Sequence, residues 1–237
     1  RDGSLLRGHP WVFSGAIKRL DGDIAPGEMV DVYSAGGEFL GCGHYGGESI
    51  AVRLLSRQQI SSPGRFLFSA FSKALDVRRS LGLVSSAETT AYRLVNAEGD
   101  GLSGLVVDMY NKVAVIQCHS PGMLNWRAEI VKALADLLGS SLDGVFDKSP
   151  LQEGRTSLAH SVLTKTASDS VIRENGLFFD ADWRGGQKTG LFLDQRENRN
   201  LFRRHVGGRS VLNAFCYTGA FSIYALSGGA SSVVSVD

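Results

Sequence analysis

The chain has 237 residues, of which 43% are hydrophobic and 21% are charged, and its formal net charge is +1. This is the composition of a globular protein with enough apolar side chains for more than one core. It excludes a strongly basic nucleic-acid-binding chain and an acidic disordered one, and neither a membrane-spanning run nor a signal peptide is visible.

The three cysteines, Cys42, Cys118 and Cys216, have no metal-binding spacing. Their odd number and wide separation predict neither a disulfide framework nor a metal site. A reducing, cytoplasmic compartment fits this pattern best. We expect Cys42 and Cys118 to be buried in strands and Cys216 to be a small packing residue.

Short apolar runs at Met29–Tyr33, 39–44 and 50–55 alternate with glycine-rich turns in the first part of the chain. Strands repeated about every ten residues are typical of a small barrel. The sequence therefore predicts a small β-domain over residues 9–56.

Aromatic and basic side chains are interleaved around GHPWVFSGAI, residues 8–17. Aromatics can stack on unpaired bases while neighbouring cations bind phosphate. The candidate RNA contacts are Arg7, His9, Trp11 and Lys18. The alternative is that Trp11 and Phe13 fill the core of the small barrel, and we expect at least one of them to do so.

The middle of the chain alternates helical and extended patterns. The predicted helices cover 65–81 and 124–138, and the predicted strands cover 92–95, 105–109, 113–117 and 144–146. Asn175-Gly176, between Val171–Glu174 and Leu177–Asp180, is the strongest short-range signal for a hairpin. These elements predict an α+β domain.

Residues 211–237 predict a strand (211–213), a turn (214–219), a helix (219–226), a second strand (Ser232–Val236) and then an acid, Asp237. A nucleotide-binding α/β unit begins in this way, and its acid binds the ribose hydroxyls. The turn NAFCYTG has one glycine rather than GxGxxG, which favours S-adenosylmethionine, a ligand without phosphate, over NAD. A plain turn in another α/β enzyme is the alternative.

The segment GGQKTGLFLDQRENR, residues 185–199, precedes this unit. It predicts a short strand at 190–193 and a helix to about His205, with Asp194 as the N-cap and Glu197 completing a capping box. Polar side chains at both ends of a buried strand also suit one wall of a pocket. An exposed hairpin with a helix cap is the alternative.

Ten residues are candidate cofactor contacts on these two segments. They are Thr189, Asp194, Gln195, Arg196, Asn213, Phe215, Tyr217, Thr218, Gly219 and Asp237.

Four ordered motifs, GHPWVFSGAI, YRLVNAEGDGLSGLVVDMY, KTGLFLDQRENR and VLNAFCYTGAF, resemble the ribosomal RNA large-subunit methyltransferase I family. The resemblance implies a multi-domain fold of the β and α/β classes. Its parts are an N-terminal PUA-like small β-barrel (1–71), a central α+β domain (72–184) and the start of a C-terminal Rossmann-like methyltransferase domain (185–237). It also implies S-adenosylmethionine as cofactor, RNA as partner, and methyl transfer to carbon 5 of a cytosine in large-subunit ribosomal RNA.

The family's later motifs, an Asp-Pro-Pro segment and the cysteine that attacks carbon 6 of cytosine, do not occur before Asp237. We therefore name no catalytic residue and expect the chain alone to be inactive. We expect neither a membrane nor a metal partner, and a homodimer is left open. Two other functions are compatible with the residues: a non-catalytic RNA-binding protein, and an NAD(P)-dependent enzyme supported only by the strand–turn–helix–acid pattern.

Overall fold

The computed structural model describes residues 3–149, 161–164, 170–186 and 188–237. Its helices are α1 (Gly3–Leu6), α2 (Pro63–Ser80), α3 (Pro121–Asn125), α4 (Arg127–Leu138), α5 (Arg196–Arg203) and α6 (Ala220–Ser227). Its strands are β1 (Trp11–Phe13), β2 (Met29–Tyr33), β3 (Phe39–Tyr45), β4 (Ile50–Ser56), β5 (Ala91–Asn96), β6 (Leu105–Tyr110), β7 (Val113–Cys118), β8 (Gly144–Asp147), β9 (Ser161–Thr164), β10 (Val171–Glu174), β11 (Leu177–Asp180), β12 (Ser210–Ala214) and β13 (Ser232–Val236).

The N-terminal module is a four-stranded antiparallel sheet in the order β1-β4-β3-β2. Val12 lies in its small core, together with Leu40 and Val52. Because side chains alternate along a strand, Trp11 and Phe13 lie on the other face of β1. The expectation that one of these two aromatics fills the core is therefore wrong.

Helix α2 connects this module to the central domain. It begins where the Ser62 hydroxyl accepts a hydrogen bond from the Arg65 N–H and Pro63 takes the first helical position. The helix is continuous across the predicted boundary between residues 71 and 72. Its buried residues Leu67 and Phe71 belong to the central core, so α2 packs as part of the central domain.

The predicted helix at 124–138 is two helices, α3 and α4, that meet at Trp126. The first begins at a second Ser-Pro pair, where the Ser120 hydroxyl accepts the Met123 N–H. Helix α4 presents Ile130 and Leu134 to the same core as α2, and both are fully buried.

The central sheet has the order β5-β6-β7-β8-β9, and only the β7–β8 pair in it is parallel. Helices α2 and α4 cover one face, where Leu105, Val107 and Met109 lie in one core. Tyr110 points to the opposite face, into a second core with the β10–β11 hairpin and α6. The whole of β6 is therefore buried. Cys118 on β7 is buried as predicted, and so is Cys42 on β3, whereas Cys216 is half-buried.

The C-terminal part contains the parallel pair β12–β13, joined by α6, with α5 packed beside α6. The predicted strand at 190–193 is wrong, because an irregular segment leads there into a 3₁₀ turn over Leu193–Gln195. The predicted Asp194 cap is also wrong. Gln195 is the N-cap of α5 and makes no side-chain cap bond to a described residue, and the Arg196 N–H donates to the Leu193 carbonyl of the preceding 3₁₀ turn.

A buried ion pair joins the β10–β11 hairpin to α5. Arg199 Nε and Nη2 each lie 2.8 Å from a carboxylate oxygen of Glu174. The side chains of Arg199 and Glu174 are 1% and 0% exposed. The Tyr224 hydroxyl donates to Glu174 Oε1 at 3.1 Å, and Arg199 Nη2 also donates to the Phe192 carbonyl. A charge pair out of water is tolerated only when its remaining hydrogen-bonding groups are satisfied in this way.

The N-terminal module contacts the central domain through two aromatic side chains. The Trp11 indole N–H donates to Glu98 Oε1 at 3.0 Å. The His44 ring is buried edge-on against Trp126, with 4.3 Å between ring centroids, and a Cβ at Gly122 would overlap it. Neither ring nitrogen of His44 has a hydrogen-bond partner among the described residues, so burial between the two parts favours the neutral ring.

Burial lowers the pKa of His44 from 6.5 to about 4. The unfolded chain therefore binds a proton that the folded chain excludes between these values. The stability that the neutral ring contributes is complete above pH 6.5 and falls by about 2 kcal/mol between pH 7 and pH 5. We expect His44→Phe to remove this part of the pH dependence in urea unfolding. His205→Phe, at an exposed position, should leave it unchanged, and an equal pH dependence in wild type and His44→Phe would contradict the assignment.

Candidate functional site

The turn between β12 and α6 has an unusual backbone. Phe215, Tyr217 and Gly219 all have positive φ, at 58°, 48° and 74°. The Cys216 N–H donates to the Val236 carbonyl at 3.1 Å, which attaches the turn to the end of β13. Two bulky residues in the left-handed region are uncommon, and such conformations cluster at sites where a ligand is bound.

Asp237 lies directly beside this turn. Its Oδ1 accepts the Tyr217 N–H at 2.9 Å, and the residue is exposed at the end of β13. The parallel register that pairs Ala214 with Val236 brings the turn and the acid to the same edge of the two-stranded sheet. The turn and the acid therefore lie side by side, and their role in binding a cofactor stays a prediction.

A line of polar side chains lies beneath the turn. The Asn213 amide donates to the Ser222 hydroxyl at 2.8 Å, and Ser222 in turn contacts the Ser235 hydroxyl at 2.7 Å. These bonds tie β12, α6 and β13 together. Of the predicted contacts on the turn itself, Phe215 is 92% exposed and Thr218 is also exposed.

The segment before α5 meets the turn at Tyr217. The Tyr217 hydroxyl lies 3.5 Å from the Gly190 carbonyl oxygen, and its ring is edge-on to Phe192 at 5.7 Å. Lys188 Nζ lies 4.1 Å from the centroid of the same Phe192 ring. The structure therefore brings together the two predicted walls. Sequence reasoning missed Phe192, although its place in an apolar run beside KTG was a usable signal.

The four predicted residues of this wall differ in their surroundings. Thr189 is fully buried, and its hydroxyl donates to Asp108 Oδ2 at 2.5 Å. Asp194 is exposed. Gln195 and Arg196 are half-buried, and Arg196 Nε contacts Glu197 at 3.0 Å. These side chains remain predicted cofactor contacts, with Thr189 the one whose polar group faces the protein interior.

Lys148, at the end of β8, is a second residue that sequence reasoning missed. Its Nζ donates to the Gly186 carbonyl, and a Cβ at Gly186 would lie 2.8 Å from the Tyr217 hydroxyl. Burial lowers the pKa of Lys148, and the nearby Asp182 charge partly opposes that effect. A lone lysine after a strand gives no sequence signal for this placement.

The predicted RNA contacts surround the outer face of β1. Arg7, His9 and Lys18 are exposed, whereas Trp11 is half-buried through its bond to Glu98. The His9 ring lies 5.6 Å from the Trp11 ring and 6.0 Å from that of Phe13, which is 47% exposed. We call His9, Trp11 and Phe13 the aromatic cluster.

The described ranges bear on two further kinds of partner, a membrane and a metal ion. No helix there is both long and apolar enough to cross a bilayer. No group of three or more His, Cys, Asp or Glu side chains in those ranges could hold a metal ion.

Comparison with known proteins gives two family-model matches. A PUA-like domain matches residues 1–57, and an S-adenosylmethionine-dependent methyltransferase matches residues 158–237. A solved structure of a protein described as a methyltransferase, complexed with SAH, shares 30% identity at a TM-score of 0.85. A structure from Streptococcus mutans, described as a SAM-dependent methyltransferase, has the same identity and TM-score. Each covers 100% of this chain, which spans 60% and 61% of theirs.

The family-model matches and the two similar structures thus show an S-adenosylmethionine-dependent methyltransferase fold together with a PUA-like domain, and the predicted fold class and cofactor are confirmed. Curated relatives from Tolumonas auensis and Shewanella amazonensis, each named ribosomal RNA large subunit methyltransferase I, are 38% identical over 100% of this chain. The chain is similar to these relatives along its whole length, and it spans 61% of their length.

Asp237→Ala, made in the complete gene product, should weaken binding of S-adenosylhomocysteine by about 1–3 kcal/mol, the range for losing charged hydrogen bonds. Isothermal titration calorimetry measures this change. Asp136→Ala, which removes an exposed acid on α4, is the matched control and should bind as the wild type does. Unchanged affinity in Asp237→Ala would rule out the ribose role of this carboxylate.

Proposed function

We propose that this chain forms the RNA-docking and cofactor-recognition part of a methyltransferase that modifies carbon 5 of a cytosine in large-subunit ribosomal RNA. The observation that carries the cofactor half is the hydrogen bond from the Tyr217 N–H to Asp237, which fixes an acid beside a single-glycine turn. The names of the curated relatives support ribosomal RNA as the substrate. The motif resemblance supports cytosine as the methylated base.

Residues of the turn suit S-adenosylmethionine better than a dinucleotide. A pyrophosphate needs several glycines so that the backbone can approach it, whereas this turn places aromatic residues at 215 and 217. Asp237 would accept the ribose hydroxyls. Tyr217 and Phe192 would provide apolar contact, and Lys148 or Lys188 would supply a cation for the methionine carboxylate. When bound, S-adenosylmethionine supplies a methyl group on its sulfonium sulfur.

The aromatic cluster with Arg7 and Lys18 is the proposed RNA contact. Exposed rings can stack on unpaired bases, and the exposed cations can bind the neighbouring phosphates. Since the Trp11 indole N–H is taken up by Glu98, the more exposed Phe13 is the stronger candidate for stacking. Trp11 then has a second task, which is to hold the N-terminal module against the central domain.

Phe13→Ala should weaken binding of a ribosomal RNA fragment by about 1–3 kcal/mol, the range for losing one stacked base. Tyr33→Ala removes an exposed aromatic from β2, at the opposite edge of the same sheet, and is the matched control. Filter binding at one fixed salt concentration compares the variants. Equal losses in both variants, or none in Phe13→Ala, would contradict the proposed docking face.

The substrate assignment is tested by mapping modified nucleotides in ribosomal RNA from a strain that lacks the gene. We expect one 5-methylcytosine of the large subunit to disappear and to return when the complete gene is restored. Loss of a different modified nucleotide would overturn the choice of cytosine. An unchanged modification map, with RNA binding retained, would instead establish a non-catalytic RNA-binding protein.

A further inference from the structure

We propose that Thr189 is a positioning residue for the cofactor site: its hydroxyl, fixed by Asp108 of the central sheet, sets the backbone over residues 188–191 that faces the Tyr217 turn. This inference rests on the proposed function, because it assigns a task to a residue of the proposed cofactor wall. It differs from the sequence prediction, in which the Thr189 side chain itself touches the cofactor.

The first observation is the bonding of Asp108. This carboxylate is 0% exposed and accepts from Arg93 Nε at 2.8 Å, Arg93 Nη2 at 3.0 Å and Thr189 Oγ1 at 2.5 Å. A buried carboxylate is costly unless its hydrogen bonds are made, so each of these donors is held in place. Thr189 is also 0% exposed, and its only hydroxyl proton goes to Asp108 rather than towards the turn.

The second observation is another anchor, Tyr110, two residues after Asp108 on β6. The Tyr110 hydroxyl lies 3.0 Å from Thr189 Oγ1 and accepts the Leu191 N–H at 3.1 Å. Because the Thr189 hydroxyl proton goes to Asp108, Tyr110 is the donor in its contact with Thr189. Burial, followed by the charge of Asp108, raises the pKa of Tyr110 to about 12. The segment is therefore fixed on both sides of Gly190, by a side chain at 189 and by a main-chain group at 191.

The third observation is the backbone between these anchors. Lys188 has a φ of 49° and Gly190 a φ of 133°, and a Cβ at Gly190 would lie 2.9 Å from the Trp183 backbone. Such a conformation persists only when its surroundings determine it. The Gly190 carbonyl is the group that the Tyr217 hydroxyl approaches at 3.5 Å. A shift at Thr189 is thus transmitted through one residue to the turn.

The alternative is that Thr189 only stabilises the fold. Two variants of Thr189 distinguish this role from the positioning role. Thr189→Val keeps the shape and removes the hydroxyl, whereas Thr189→Ser keeps the hydroxyl and removes the methyl group. Thr89→Val is the matched control, because Thr89 is also buried, and its hydroxyl accepts the Asn175 N–H in the hairpin, away from the turn. All three are made in the complete gene product.

Calorimetry with S-adenosylhomocysteine, filter binding with ribosomal RNA and thermal unfolding are measured for each variant. We expect Thr189→Val to raise the Kd for S-adenosylhomocysteine about 10-fold, as for the loss of one hydrogen bond, with RNA affinity within about twofold of wild type. Thr189→Ser should bind the cofactor product as wild type does. Thr89→Val should lower the Tm without changing either affinity.

The positioning role is overturned if Thr189→Val keeps wild-type affinity, or if Thr89→Val weakens binding as much. Where Thr189→Val does not fold, Tyr110→Phe removes the anchor of the Leu191 N–H and is read in the same way. A wild-type protein that binds no S-adenosylhomocysteine would refute the proposed function itself. If the wild-type protein binds S-adenosylhomocysteine, and Thr189→Val and Tyr110→Phe bind it with wild-type affinity, only the positioning role is refuted.

Discussion

The central sheet has to be covered on both faces, and the rest of the structure depends on how this is done. Strand β6 is buried along its whole length. Helices α2 and α4 cover one face, whereas the β10–β11 hairpin and the segment leading to α6 cover the other. The C-terminal part is therefore not a unit attached by a linker. Its first residues complete the core of the domain before it, which places the Tyr217 turn at a fixed position relative to the sheet.

Apolar contact alone would not fix the position of the β10–β11 hairpin and the segment leading to α6 on the sheet. Buried charges, whose hydrogen bonds are directional, do fix it. The Glu174–Arg199 pair joins the hairpin to α5, and the Asp108 carboxylate joins β6 to the segment at Thr189. Each carboxylate is fully buried, so a displaced arrangement would leave a charge without its partners at a cost of several kcal/mol. The two carboxylates thus favour a single position of the hairpin, α5 and the Thr189 segment relative to the central sheet. The geometry around Tyr217 follows from that position.

Features whose cause is local could be predicted from the sequence. Asn175-Gly176 predicts a hairpin because both residues accept positive φ, and they have 48° and 80°. The strand Ser232–Val236 and the position of Asp237 follow likewise from a short pattern. The segment at 190–193 reads as a strand, but it is held irregular by Asp108 and Tyr110, about 80 positions earlier in the chain, and no local signal reveals such partners. For the aromatic cluster, alternation along β1 predicts that Val12 and Trp11 face opposite sides, but not which side is the core.

Strand β5 and the turn after it connect the two candidate sites. Arg93 on β5 holds Asp108 from one side, and Asp108 holds Thr189 from the other. Five residues later, Glu98 accepts the indole N–H of Trp11 and the hydroxyl of Ser103. One short stretch of the central domain therefore fixes both the aromatic cluster and the wall beside the Tyr217 turn. An RNA bound on β1 and a methyl donor bound at Asp237 would be placed by the same strand, so the distance between them would be set by the fold of the central domain rather than by either ligand.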